Sequence, residues 1–229
     1  NSAIYGAAQK ATTIREATIR LGMKRVQSVA TGIAIMSLKG KGLTSRFRME
    51  DLWLHSFGVA FAMIGISRSI PAKLRPSEDQ IFLAGMLHDI GYLALAYLDP
   101  DRSDALHASL AMEPDRPSLA IEKSLQEICH DELGAELARH WNLPNEIITV
   151  LRYHHTPDLA EAKDGRPLVN LINVAEKLLP SFGIIEYVDT AISNEEWTGL
   201  GIPPEKAEEI VAQVAEQADQ AMQFASSFT

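Results

Sequence analysis

The chain holds a single cysteine, Cys129, in 229 residues. No disulfide framework within the chain can form, and a reducing compartment, the cytoplasm, is the expectation. Long apolar runs are also missing. The longest, residues 57–66, is about half the roughly 20 residues that a membrane span needs. No signal-peptide pattern stands at the start, and the chain opens at Asn1 in mid-pattern, so further residues are expected upstream. Internal repeats, low-complexity tracts and convincing strand alternation are absent, with residues 184–188 the one short strand candidate. There is no helix-turn-helix signature and no aromatic stacking platform, so nucleic acid is not an expected partner.

What is present is ordinary globular composition, 46% hydrophobic and 22% charged, enough for one large domain or two small lobes. The net charge of -9 is unevenly spread. Residues 1–50 carry nine Lys or Arg against two acids, and the rest of the chain 12 against 28. A basic head on an acidic body could meet an acidic partner; solvated helix faces account for the same charges.

The punctuation is helical throughout. Thr13 and Glu16 read as a capping box opening a helix to Gly22, and a second helix is expected over 24–38. Lys39-Gly-Lys-Gly42 makes an exposed turn. A third helix is expected over 49–69 and a fourth, apolar nearly all round and therefore central, over 77–98. Residues 99–117, polar with three prolines, read as a long connection with at most a short helix. Further helices are expected over 118–141, 145–155 and 167–179, with a tight corner at Asn142-Leu-Pro144. Pro203-Pro204 opens a last amphipathic helix to about 224, whose apolar face (Ile210, Val211, Val214, Met222, Phe224) is expected to pack on its own domain. The prediction is an all-α protein with a lobe boundary near residues 39–48.

One stretch carries chemistry. Ala84-Gly-Met-Leu-His-Asp-Ile-Gly91 puts His88 beside Asp89 in an otherwise apolar run. A buried carboxylate without a partner costs several kcal/mol, so Asp89 needs a cation, a strong donor or a raised pKa. Five other residues sit at core-facing helical positions. His55 shares a stripe with Leu52, Val59 and Ala62; His130 flanks Leu133, Leu137 and Trp141; His154 and His155 follow Ile147, Ile148 and Leu151; Glu176 sits with Val169, Ile172 and Leu179. Gly85 is expected to leave space beside Asp89. A lone histidine on an apolar face is usually a hydrogen-bonded core residue. Five histidines and two acids together favour a metal site. Imidazole with carboxylate suits iron, manganese, nickel or zinc, whereas calcium would want oxygen alone. The set exceeds the needs of one ion, so one or two are expected. His107, in the polar connection, is expected in solvent, and His140 near a helix end.

These residues fall into segments that resemble the HDOD family, the HD-related output domain of bacterial signalling proteins. Asn1-Ser-Ala-Ile-Tyr-Gly6, Ala17 with Leu21-Gly22, and Trp53-Leu-His-Ser56 resemble its entry motifs. Leu87-His-Asp-Ile-Gly91 is similar to the HD signature. Glu122 with His130, Gly134 and Ala135 follows, then Trp141-Asn-Leu-Pro144 with His154-His155, then Val169 to Ala175. The resemblance implies one HDOD domain over 1–229: a smaller N-terminal helical lobe over 1–42 and a multi-helix bundle of the HD-superfamily type over 43–229. It implies His55, His88 and Asp89 as the first metal ligands, with Glu176 where those hydrolases carry Asp, and His130, His154 and His155 as the added ligands of two-ion members.

Two departures weigh against hydrolysis of cyclic di-GMP. Tyr92 stands where the relatives that cleave it carry Lys, and the GYP stretch is absent after His155. A lysine there would offer charge to a phosphate; a neutral hydroxyl does not. The resemblance therefore implies a regulatory module. It would act through contacts with a signalling protein or an attached sensor or receiver domain, off the membrane, with a metal kept for structure. The alternative is a metal-dependent phosphohydrolase acting on a nucleotide or phosphate ester, with Asp89 as its essential residue. Arg152, Lys123 and Lys177 are its candidate phosphate contacts, each also readable as a solvated charge. Binding of a nucleotide or nucleic acid without turnover, through the basic first lobe, is a third reading.

Overall fold

The computed structural model describes residues 47–181, 183–184 and 191–215. The chain divides into two compact units, Asn1–Lys39 and Gly40–Thr229, and every described residue belongs to the second. The expected helices over 13–22 and 24–38, the Lys39–Gly42 turn and residues 185–188 of the strand candidate lie outside the described residues. So do Met222 and Phe224.

The described residues are helical, with no strand among them. They form α1 (Met49–Ser67), α2 (Glu78–Leu87), α3 (Ile90–Leu98), α4 (Pro100–Met112), α5 (Ser118–Leu125), α6 (His130–His140), α7 (Asn145–Tyr153), α8 (Arg166–Leu178) and α9 (Asn194–Gly199), with short 3-10 segments at Ala160–Gly165 and Pro204–Lys206. Residues 207–215 are again helical. α1 and α2 are buried nearly all round, pack on each other and both pack on α8; α2 also packs on α7, and α3 packs between α4 and α6. The buried Leu52, Val59, Ile66, Ile81, Leu87, Leu151, Leu171 and Ile172 make the core between them. At about 25 cal/mol per Å² of apolar surface, burying such side chains dominates the stability of the unit.

Three expected boundaries differ, each for a local reason. The single helix over 77–98 begins as foreseen, with Ser77 and Gln80 in a reciprocal cap, but it breaks at His88-Asp89. Asp89 takes φ −100° and ψ 14°, and its carboxylate does not cap α3 as an Asp at that position normally would. The carboxylate is turned to the imidazoles instead. Residues 100–112 form a full helix rather than a connection. Pro100 occupies a first-turn position, where its missing N–H costs nothing, and Asp99 Oδ1 accepts from the Arg102 backbone N–H at 3.1 Å. The helix expected over 118–141 is two helices, parted at Gln126–Cys129.

The corner after α6 is as expected. Asn142 adopts the left-handed conformation (φ 53°) and the Leu143 N–H reaches back to the Ala138 carbonyl at 3.0 Å. In the last segment Ile210 and Val214 are buried, while Val211 is 43% exposed and so departs from the expected apolar face. By length and composition the run Glu78–Leu98 would suffice to cross a membrane. Its most apolar 18-residue window is 83% buried inside the bundle, and it carries the His88-Asp89 break, so it behaves as a core element.

Two glycines permit the close approaches that set the site. A Cβ on Gly85 would lie 2.5 Å from Ala60 Cα, so α1 and α2 touch backbone to backbone there. The space beside Gly85 is therefore filled by α1 and is not a space beside Asp89. A Cβ on Gly91 would lie 1.9 Å from the His130 carbonyl oxygen. The first turn of α3 can meet the first residue of α6 only because Gly91 has no side chain.

Candidate metal centre

Five segments deliver side chains to one buried point. His55 comes from the middle of α1, His88 and Asp89 from the break between α2 and α3, His130 from the first residue of α6, His154 and His155 from the end of α7, and Glu176 from α8. His155 is partly exposed; the other six are buried. The structure brings all seven sequence-derived candidates together, in two groups within ligand-sharing distance: His55, His88 and Glu176, and Asp89, His130, His154 and His155.

Asp89 joins the groups. Its Oδ2 lies 3.3 Å from His55 Nε2 and 3.1 Å from His88 Nε2. Its Oδ1 lies 3.5 Å from both His130 Nε2 and His154 Nε2. His88 Nε2 is 2.9 Å from Glu176 Oε1. The ring nitrogens crowd one another: His55 and His88 Nε2 are 3.1 Å apart, His130 and His154 3.3 Å, and His130 and His155 3.2 Å.

The outer nitrogens determine what the inner ones present. His88 Nδ1 faces the Gly85 carbonyl at 2.9 Å and His154 Nδ1 the Val150 carbonyl at 3.1 Å. A carbonyl only accepts, so each Nδ1 carries the proton and each neutral ring turns a bare Nε2 inward. His130 Nδ1 donates to Glu122 Oε1 at 2.6 Å, with the same result. Lone pairs on converging nitrogens repel one another and the two carboxylates. Both oxygens of Asp89 and of Glu176 are buried and accept no hydrogen bond. Cations resolve all of this at once, and a mixed imidazole and carboxylate donor set suits first-row divalent ions. The residues present therefore fit a metal centre.

Protons would resolve it less well. Burial opposes charge on His88, but Asp89 and Glu176 outweigh it and hold its pKa well above 6.5. Burial pushes His154 the other way, reinforced by His155. Burial would raise both carboxylic acids, yet the imidazoles beside them win: Asp89 is held well below the usual carboxylate range, chiefly by His88, and Glu176 falls to about 2. The cluster thus stabilises negative oxygen and one positive ring while penalising a second. A divalent ion supplies more charge in the same space.

Glu122 appeared in sequence only as part of a motif. It is buried, accepts from the His130 backbone N–H at 2.6 Å and holds the His130 ring, in the manner of the acids that orient metal-bound histidines. The available signal was an acid among apolar residues four positions before the α5–α6 break. Tyr92 is fully buried, stacks on His130 at 4.1 Å and donates its hydroxyl to Glu122 at 3.1 Å. His107, expected in solvent, lies on α4 between Phe47 and Tyr92, with Nδ1 on the Ser103 carbonyl at 2.8 Å. Of the basic residues, Arg152 pairs with Asp131 and, at 2.8 Å, with Glu132; Lys177 pairs with Glu196 at 2.6 Å. These two are held by acids, and Lys123 alone of the three is exposed.

A cavity of about 970 Å³ borders the cluster on the His155 side.

The class that the fold and the site define is a helical bundle built around a buried cluster of histidines and carboxylates. The HDOD domain model matches residues 1–157, so the chain belongs to the HDOD domain family. It is similar to an uncharacterised protein of Treponema pallidum (strain Nichols), 24% identical over 179 residues, covering 76% of this chain and 33% of that one. Among solved structures it is similar to a candidate signal transduction protein from Marinobacter aquaeolei VT8, with TM-score 0.78 and 26% identity, covering 98% of this chain and 49% of that one. It also shares the fold of a candidate phosphohydrolase from Shewanella amazonensis SB2B, with TM-score 0.72 and 20% identity, covering 99% of this chain and 81% of that one. The chain thus spans about a third of the curated relative and half of the Marinobacter protein.

Proposed function

We propose that this chain is a signal-transduction output module of the HDOD type built around a resident two-ion centre. His55, His88 and Glu176 would hold one ion with Asp89 Oδ2; His130, His154 and His155 would hold the other with Asp89 Oδ1. Iron, manganese, nickel and zinc are the ions this donor set suits. When bound, they would supply Lewis acidity toward an oxygen ligand and a lowered pKa for bound water. The observation that carries the reading is the division of the Asp89 carboxylate between two imidazole groups. The whole chain would form one domain, with residues 1–42 as its smaller lobe. Its partner would be a signalling protein or an attached sensor or receiver domain, in the cytoplasm.

Tyr92 supports regulation over phosphodiester hydrolysis. Its side chain is committed to Glu122 and His130, so no charge from that position meets a phosphate. Metal analysis of the protein loaded with manganese tests the centre. About two ions per chain are expected, and none after Asp89→Ala in protein that keeps its helical circular dichroism. Full metal content in Asp89→Ala would overturn the assignment.

The second reading, a metal-dependent phosphohydrolase, is favoured by the cavity at His155. Turnover of bis(p-nitrophenyl) phosphate by the manganese-loaded protein, lost in Asp89→Ala, would favour it. The regulatory reading expects no turnover above that variant.

A further inference from the structure

Arg166, Asn170, Asn173 and Lys177 recur along α8 at spacings of four, three and four. That spacing sets them on one face of the helix. The remaining faces, with Leu168, Leu171, Ile172 and Ala175, are buried in the core. All four polar residues border the cavity of about 970 Å³, and so do Ser118, at the start of α5, and His155. His155 Nε2 lies 3.2 Å from His130 Nε2. One wall of the cavity therefore includes a member of the metal cluster, and the lining also includes a helical stripe of amides and cations. The volume lies within the range of about 300–1,000 Å³ that small-molecule sites occupy.

The lining narrows the ligand. Arg166 and the His155 imidazole favour an anionic group, whereas Lys177 is taken up by Glu196 in the same lining. Asn170 and Asn173 offer amides; the Nδ2 of Asn173 donates to the His154 carbonyl at 3.2 Å, which ties the stripe to the same histidine pair. Asp158 and Glu195 supply carboxylates that accept from hydroxyl groups. No Phe, Tyr or Trp is among the described residues of the lining, so the flat stacking surface on which proteins seat a nucleobase is missing.

We infer that this cavity binds a small hydroxylated organophosphate, of the sugar phosphate class rather than a nucleotide, with its phosphate toward His155 and its hydroxyls on the α8 stripe. The inference rests on the metal-centre reading for the strength of phosphate binding. The stripe and the cavity stand without it.

Calorimetric titration of the full chain, metal-free and manganese-loaded, tests it with ribose 5-phosphate, AMP and inorganic phosphate. AMP carries the same ribosyl phosphate plus adenine, so the pair isolates the base. Ribose 5-phosphate is expected to bind the manganese-loaded protein with Kd below about 1 mM, at least about tenfold tighter than inorganic phosphate and no weaker than AMP. AMP binding tenfold tighter would overturn the assignment of class. No binding of ribose 5-phosphate to protein of verified manganese content would overturn the pocket and leave the metal centre standing. Ribose 5-phosphate binding in protein that takes up no manganese would sink the metal centre alone. Asn170→Leu, at a half-buried position, is expected to weaken ribose 5-phosphate about tenfold at unchanged manganese content. Unchanged affinity there would overturn the placement on the stripe. Arg166→Gln, at an exposed position, carries the same expectation should Asn170→Leu not fold.

Discussion

Glu122 Oε1 lies 2.6 Å from His130 Nδ1, and its Oε2 accepts from the backbone N–H of the same residue at the same distance. One carboxylate thus fixes both the ring and the start of the helix that carries it. Such partners of metal-bound histidines typically contribute 10–100-fold to metal affinity. Glu122→Gln keeps the shape but turns an amide donor toward one of two donors on His130. Metal affinity of the group containing His130 should fall by about 10–100-fold, while the group containing Glu176 keeps its own. A two-step calorimetric titration with manganese reads the two separately. Equal weakening of both steps would show that Glu122 does not act through His130.

Metal should also stabilise the fold. An ion that binds only the folded chain adds RT ln(1 + [L]/Kd), about 2.7 kcal/mol at a concentration 100-fold above Kd. For a unit of this size that is a rise of roughly 5–10 °C in Tm. Thermal melts with manganese, and again after a chelator, measure it. Asp89→Asn retains the shape of the shared ligand and loses its charge, so the shift should shrink below about 2 °C.

Why some of this was legible in sequence, and some was not, follows from where the determining forces lie. The core-facing placement of His55 and the start of the helix near residue 77 are local, because helical periodicity and end signals act within a turn or two. The break at Asp89 is not local. An apolar run reads as one helix, and only the neighbouring His88 together with three imidazoles from other segments, His55, His130 and His154, turns the carboxylate away from capping α3. α4 was hidden by its polarity: only Ser103, Leu106 and Leu110 are buried along it, too few for a strong periodic signal. Glu122 and His130 are eight residues apart, and only the break between α5 and α6 lets them meet.

Gly91 gives a test of packing. Gly91→Ala would drive Cβ to 1.9 Å from the His130 carbonyl, a backbone atom that cannot swing aside. A loss of about 3 kcal/mol or more is expected, with loss of metal uptake as α6 is pushed from α3. Gly134→Ala is the control. Its Cβ would meet nothing nearer than the Gly91 nitrogen at 3.4 Å, and alanine is the better helix former by roughly 0.5–1 kcal/mol. Urea melts should therefore place Gly134→Ala at or above the parent. Similar midpoints for Gly91→Ala and the parent would mean that the α3–α6 approach is not fixed as described.

Arg152 separates a structural cation from a phosphate contact. It is 30% exposed and reaches Asp131, whose side chain is 4% exposed, and Glu132 on α6. Arg152→Ala leaves Asp131 buried without its cation, at a cost of about 1–3 kcal/mol once the partial exposure of Arg152 is discounted. Asp131→Asn removes most of that cost, so a double-mutant cycle should return a coupling of about 1 kcal/mol or more. Manganese content and ribose 5-phosphate affinity should both stay at the parent values, because Arg152 spends its guanidinium on α6. A variant that melts like the parent but binds the sugar phosphate tenfold more weakly would assign Arg152 to the ligand instead.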